Sequence, residues 1–260
     1  MCDKWKETLV VLIPKVKNLI LPIQFLPISL CLSTYKILEK VLLNRMVPYI
    51  SKLISYEQVA FIKGRSINDH VLIAQEVIHK LRNSKSSKGF VAFKIDMEQA
   101  YDSMGWTTLE KALHYFGFPY YFSKLILNCI QSSNFSISIN GSLSKWIEGQ
   151  CGFRQGCPLS PYLFIICAQL LSNAFKQKGD ALGVRVSSNG PSISHLLYVD
   201  DVIIFSEATL KATKEIKKIL DNFCSWIGLS INSNKSSMIF SKLVRRRRKK
   251  AINRLLGFNP

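Results

Sequence analysis

No stretch of this 260-residue chain approaches the ~20 uninterrupted apolar positions a membrane-spanning helix requires. The apolar start, Val10 to Leu26, is broken by Pro14, Lys15, Lys17 and Pro22. Lys4, Lys6 and Glu7 precede only a short apolar run, which reads against a secretory leader. The seven cysteines (Cys2, Cys31, Cys129, Cys151, Cys157, Cys167 and Cys224) form no C-x-x-C pair, and the four histidines are scattered, so zinc-site spacing is absent. An odd count among apolar neighbours leads us to expect reduced, mostly buried thiols in an intracellular protein, nuclear or cytoplasmic. Acidic residues are scarce: 17 Asp+Glu face 35 Lys+Arg, a formal charge of +18. Such a surplus attracts phosphate backbones and makes their binding salt-dependent. Six of the basic residues form the run Arg245–Lys250, and the excess persists through the chain without them. That run is open to three readings: a nuclear-import signal, a nucleic-acid backbone contact, or a solvated helix face. Internal repeats and other low-complexity segments are missing.

What is present is enough apolar residue, 48%, to bury a core in one domain or two closely joined subdomains. Leu9 to Leu30 reads as a strand pair broken by Pro14 and Pro22. Thr34 to Leu53 reads as a helix with Ile37, Leu38, Val41, Leu42 and Met46 on its apolar side. Further helices are expected over Ile67 to Leu81, Thr107 to Phe116 and Tyr120 to Ile130, the last two split at Gly117-Phe118-Pro119. Phe135-Ser136-Ile137-Ser138-Ile139 alternates and meets Asn140-Gly141, a strong hairpin signal. Leu210 to Trp226 is an amphipathic helix stopped by Gly228. Local pattern alone supports an α+β fold.

Chemistry concentrates at Tyr198-Val199-Asp200-Asp201. Apolar His195-Leu196-Leu197 and Val202-Ile203-Ile204-Phe205 flank it, so two adjacent carboxylates sit where a core strand turns. Unit charges ~4 Å apart repel by about 4 kcal/mol at an effective dielectric near 20. A divalent cation offsets that cost, and hard oxygen ligands favour Mg²⁺ or Mn²⁺. A solvated Asp-Asp turn remains the plain alternative.

A second acidic strand end follows Phe90 to Ile95: Asp96, then Met97-Glu98-Gln99-Ala100-Tyr101-Asp102. Carboxylates from two strand ends are what a two-metal phosphoryl-transfer site needs. Helix capping is the alternative role for Asp96 and Asp102. The third element is Phe153-Arg154-Gln155-Gly156-Cys157-Pro158-Leu159-Ser160-Pro161. Ser160-Pro161 is a helix start, the helix Tyr162 to about Phe175 is apolar on most faces, and Gly156 permits close approach of a ligand to the backbone.

In this order and spacing the three elements resemble motifs A, B and C of reverse transcriptases. The surrounding residues resemble the non-LTR (LINE-type) retrotransposon branch, especially plant members. Val11-Leu12-Ile13-Pro14-Lys15, Pro27-Ile28-Ser29-Leu30-Cys31, Tyr35-Lys36-Ile37, Asn44-Arg45 and Gln58 to Ile67 resemble its fingers. Asn140-Gly141-Ser142, Arg154 to Phe164, and Gly228-Leu229-Ser230-Ile231-Asn232 with Lys235 match as well. A group II intron maturase or telomerase is the competing superfamily reading; the Asn140-Gly141-Ser142 and Arg154-to-Phe164 segments argue against it.

The resemblance implies right-hand polymerase fingers and palm, with an antiparallel palm sheet packed with helices and the thumb absent. It places fingers mainly in 1–89, palm in 90–240, and a basic tail over 241–260; whether part of 106–160 packs with the fingers stays open. It implies RNA-directed DNA polymerase activity on an RNA template, a DNA primer and deoxynucleoside triphosphates, with two Mg²⁺ ions and Mn²⁺ as substitute. Asp96, Asp200 and Asp201 match the metal-binding catalytic acids. Tyr101 matches the aromatic gate beneath the incoming sugar, with a core aromatic as the alternative. Gln155 and Gly156 match residues lining the nucleotide and template. Lys235 matches a lysine that protonates pyrophosphate, with a solvated lysine as the alternative, and Lys15 and Arg65 match basic residues of the fingers.

Two departures stand out. The family's Phe-Arg-Pro-Ile-Ser is here Phe25-Leu26-Pro27-Ile28-Ser29, and leucine can neither donate a hydrogen bond nor supply charge. Its Arg-Gln-Gly-Asp is here Arg154-Gln155-Gly156-Cys157, which removes a carboxylate. These changes imply an impaired polymerase, or alternatively an inactive relic that at most binds nucleic acid.

Overall fold

The near-continuous apolar runs of Phe90–Ile95 and Asp201–Glu207 bury Val91, Ala92, Phe93, Ile95, Val202, Ile204 and Phe205, and around these residues a four-stranded sheet assembles in the computed structural model. The structure describes residues 3–178, 182–187 and 190–258. Cys2 and the last two residues of the 241–260 tail, which figured in the readings above, lie outside them. The chain divides into two compact units, Met1–Leu53 with Tyr101–Ile166, and Ile54–Ala100 with Cys167–Pro260.

In the first unit the expected strand pair forms: Glu7–Pro14 runs antiparallel to Phe25–Cys31, with Val10 opposite Ser29. Glu7–Pro14 also pairs in parallel with Asn134–Ile139. The latter turns at Asn140 (φ 49°) and Gly141 (φ 81°) to meet Ser142–Leu143, as the Asn-Gly pair predicts. The helix Ser33–Leu53 forms as expected, but its buried face is rotated from the predicted one. Tyr35, Glu39, Leu42, Leu43, Met46 and Ile50 face inward, while Ile37 and Val41 are exposed. A carboxyl and a phenol took positions that a purely apolar count assigns to aliphatics: the Tyr35 hydroxyl donates to the Cys129 carbonyl at 2.8 Å, and Glu39, whose carboxyl burial pushes up, lies under the charge of Arg154. Helices Trp106–Tyr115 and Tyr120–Ile130 follow the predicted boundaries.

In the second unit the sheet order is His195–Tyr198, Asp201–Glu207, Phe90–Ile95, Ser237–Phe240, every neighbour antiparallel. The helix Ile67–Asn83 covers it, with Val77 and Leu81 packed on Ala92, Leu196 and Phe205. Leu210–Ile227 buries Ala212, Ile216, Leu220, Phe223 and Ile227 at helical spacing, is capped by the Thr209 side chain, and ends at left-handed Gly228. The helix Ser160–Gln177, whose first seven residues are counted with the first unit and the rest with the second, buries residues on most faces, in line with its composition. The basic run opens a final helix, Arg246–Leu256, with no acidic residue in its first turn. Arg248 donates to the Lys88 carbonyl at 2.8 Å, and Arg245, Arg246 and Arg247 are exposed. Among the described residues no helix is long and apolar enough to cross a membrane.

Candidate functional site

Antiparallel register brings the acidic positions of the second unit to one edge of its sheet. The last rung of the ladder pairs Val202 with Ile95, so Asp201 and Asp96 are the residues that come next at that end of the two strands. Tyr198 pairs with Asp201, leaving Val199 and Asp200 as the two-residue tip of the hairpin. Val199 has φ 56°, a left-handed backbone that a β-branched residue adopts at a cost of about 1–2 kcal/mol. Strain of this size persists only where neighbours enforce it.

The enforcing neighbour is Gln58, only 1% exposed. Its Oε1 accepts from the Val199 N–H at 3.3 Å and from the Ala60 N–H at 3.0 Å, and its Nε2 donates to the Val199 carbonyl at 3.5 Å. The Leu197 N–H donates to the Glu57 carbonyl at 2.6 Å, tying the same loop to the strand before the turn. Arg65 sets that loop: its guanidinium donates to the carbonyls of Ser55 at 2.5 Å, Gln58 at 2.6 Å and Ile54 at 2.7 Å, and stacks over Tyr56. Sequence reasoning treated Gln58 only as part of a matching segment; its cue was a polar residue inside the apolar Gln58-Val59-Ala60-Phe61-Ile62 stretch.

Asp96 is held from its own side. Its N–H donates to Ser236 Oγ at 3.1 Å, and its carbonyl accepts from the Asn232 N–H at 2.8 Å. Asn232 Oδ1 accepts from the N–H groups of Asn234 and Lys235, which shapes the exposed turn carrying Lys235. Thus the strand end and the lysine turn form one hydrogen-bonded piece.

Electrostatics follow from this packing. Burial raises the Asp200 carboxyl above its ordinary value; its own backbone N–H opposes this, and the charges of Asp201 and Asp96 add to the rise. Among the described residues no three or more His, Cys, Asp or Glu side chains form a ready metal cage. Asp200 therefore feels the charges of Asp201 and Asp96 without the three closing around a centre. Carboxylates are hard oxygen donors, and a divalent cation beside Asp200 would offset the neighbouring charge that adds to its rise.

The first unit collects a different set. Gln155 Nε2 donates to Asp102 Oδ1 at 3.2 Å, and the Lys15 charge acts on the same carboxyl, whose protonation is nonetheless favoured by burial. Asp102 lies inside the short helix Ala100–Ser103 and Asp96 lies between two strands, so neither occupies the capping position considered from sequence. The Tyr101 ring stacks on Phe164 at 4.9 Å with planes 10° apart. Gly156 has φ 105°, and a Cβ there would stand 3.2 Å from the Ser29 carbonyl, whose own N–H donates to Gln155 O at 2.8 Å. Arg154, 5% exposed, is consumed by the fold: it stacks on Tyr35 at 4.3 Å and donates to the carbonyls of Lys6 and Cys129 and to Ser133 Oγ.

Comparison with known proteins agrees with this arrangement. A family model described as reverse transcriptase (RNA-dependent DNA polymerase) matches residues 13–259. The chain is 26% identical over 228 residues to the transposon TX1 uncharacterized 149 kDa protein of Xenopus laevis, covering 87% of this chain and 17% of that protein. It is 25% identical over 226 residues to the Pol polyprotein of the type-2 retrotransposable element R2DM of Drosophila melanogaster, covering 86% and 20%. An uncharacterized mitochondrial protein of Arabidopsis thaliana is 47% identical over 66 residues, 24% of this chain and 54% of that one. The chain thus spans about a fifth of the length of the two retroelement proteins. In fold it is similar to apo telomerase from Candida tropicalis, with a TM-score of 0.61 at 16% identity over 93% of this chain and 51% of that one. A family match over nearly the whole chain, retroelement relatives by sequence and a polymerase fold by structure converge on one assignment: the chain belongs to the reverse transcriptase family, in its non-LTR retrotransposon branch.

Proposed function

We propose that the chain is the nucleotidyl-transfer part of an RNA-directed DNA polymerase, extending a DNA primer on an RNA template with deoxynucleoside triphosphates. The observation that carries this reading is the meeting of two acidic strand ends: Asp200 and Asp201 turn the hairpin whose second strand pairs with Phe90–Ile95, and Asp96 follows that strand directly. We assign Asp96, Asp200 and Asp201 as ligands of divalent magnesium, replaceable by manganese. Bound there, two such ions would activate the primer 3′-hydroxyl and neutralise charge developing on the transferred phosphate. The hairpin tip fixes where Asp200 sits, and Gln58 fixes the tip. Lys235, on the turn bonded to Asp96, is assigned as the proton donor to pyrophosphate. Tyr101 packs beneath the incoming sugar, Gln155 and Gly156 line the base, and Lys15 meets the triphosphate. Arg65 acts through the Ile54–Gln58 loop, since its guanidinium is committed there. Leu26 withholds a charge that the family places on the triphosphate, so weak nucleotide binding is expected.

Primer extension tests the proposal: purified chain, a DNA primer annealed to RNA, deoxynucleotides and Mn²⁺. Extension by the parent and a loss of at least about 10²-fold in Asp200→Asn support it. Equal extension by both would exclude the assigned acids, and none by either would favour a relic without turnover.

A further inference from the structure

Cys31 closes the Phe25–Cys31 strand, and Cys157 follows Gly156, 126 residues later. Their Sγ atoms stand 3.0 Å apart, closer to each other than to any hydroxyl either one meets; Thr8 Oγ1 lies 3.7 Å from Cys31 Sγ. Bond formation needs an approach of about 1 Å more. The backbone already brings the two segments together, because the Ser29 N–H donates to Gln155 O at 2.8 Å. Cys31 is half-buried and so reachable by a small oxidant, whereas Cys157 is 3% exposed.

We propose that Cys31 and Cys157 form a reversible intramolecular disulfide, a site at which a peroxide modifies this chain. The division of labour follows from the surroundings. The Cys157 contact, the Arg154 guanidinium and the Thr8 hydroxyl favour the Cys31 thiolate against burial, lowering its pKa to about 7. The Cys157 thiol is pushed up, by the Cys31 contact and by burial. Burial also pushes Cys129 and Cys224 up to about 11 and Cys167 to about 12, leaving these thiols inert. Cys31 is thus the attacking sulfur and Cys157 the resolving one.

The chemistry balances with hydrogen peroxide as oxidant. The Cys31 thiolate attacks one peroxide oxygen, the O–O bond breaks, and the departing hydroxide takes a proton to become water. Cys31 is left as a sulfenic acid, its sulfur oxidised by two electrons. Cys157 then attacks that sulfur; the S–S bond forms, the S–O bond breaks, and the thiol proton leaves with the hydroxide as a second water. The product links the Phe25–Cys31 strand covalently to the turn bearing Gln155 and Gly156, and closes a loop long enough to restrict the unfolded chain.

The test needs no polymerase turnover. The reduced chain is treated with a few equivalents of hydrogen peroxide, quenched, unfolded in urea, alkylated with iodoacetamide, and mapped without reduction. The expected result is a Cys31–Cys157 linked peptide, alkylation at the remaining cysteines, reversal by dithiothreitol, and a Tm several degrees above that of the reduced chain. In Cys157→Ala, Cys31 should be trapped by dimedone as the sulfenic acid; in Cys31→Ala, Cys157 should stay a thiol. Alkylation of both cysteines after peroxide overturns the proposal. So does pairing of Cys31 with any other cysteine, or a disulfide that persists in Cys157→Ala.

Discussion

Gln58 holds Val199 by both of its backbone polar groups, with Oε1 on the N–H at 3.3 Å and Nε2 on the carbonyl at 3.5 Å. Because Gln58 is buried and Val199 sits in left-handed backbone, the pairing keeps the acidic turn in a conformation it would otherwise leave. Gln58→Ala should cost about 1–3 kcal/mol in urea denaturation, the penalty of orphaning buried polar groups. It should also weaken the Mn²⁺-induced rise in Tm. A variant matching the parent in both measurements would show that the amide does not position the acids.

Asp200 carries a sign that thermal denaturation can read. Its carboxyl titrates above the ordinary 3.8 in the folded chain, so within that window the folded state binds more protons than the unfolded one. Stability therefore falls as pH rises through the window and stays lowered above it. Asp200→Asn removes the penalty. It should melt above the parent at pH 7 without divalent ions, and the gap should close below about pH 3.8. Adding Mn²⁺ should reverse the order, since the cation stabilises only the form that binds it. A parent that is the more stable of the two at pH 7 in a chelator would contradict the electrostatics.

Arg154 lies in the family's motif B, yet every contact of its guanidinium described above is structural. Arg154→Lys keeps the charge but loses the fork that reaches Lys6 O, Cys129 O and Ser133 Oγ, and the stack on Tyr35. The expected loss is about 2–4 kcal/mol by denaturant titration, because Glu39 nearby is also buried. A loss of activity at unchanged stability would instead place Arg154 in catalysis.

Much of this was legible in sequence because local signals and tertiary structure agree. Asn140-Gly141, the glycine stop at Gly228 and the apolar flanks of Asp200-Asp201 each act within a few residues. The approach of Asp96 to the hairpin required only that two apolar strands pair. Misreadings arose where a polar side chain is buried by distant partners. Ser33–Leu53 turned Glu39 and Tyr35 inward and left Ile37 outside. In Asn134–Ile139 the alternation itself left open which face is covered; it is Ser136 that is buried, donating to Ser144 O at 2.9 Å, while Ile139 is exposed. Gln58 escaped notice for the same reason: its partner lies 141 residues away.

The helix Arg246–Leu256 opens with cations at the end where its peptide dipoles are already positive. Dissolved ions screen such self-repulsion within about 8 Å at physiological ionic strength. Raising salt should accordingly firm this last helix while it loosens any hold on a phosphate backbone. Within one molecule, ionic strength then pulls local order and polyanion affinity in opposite directions.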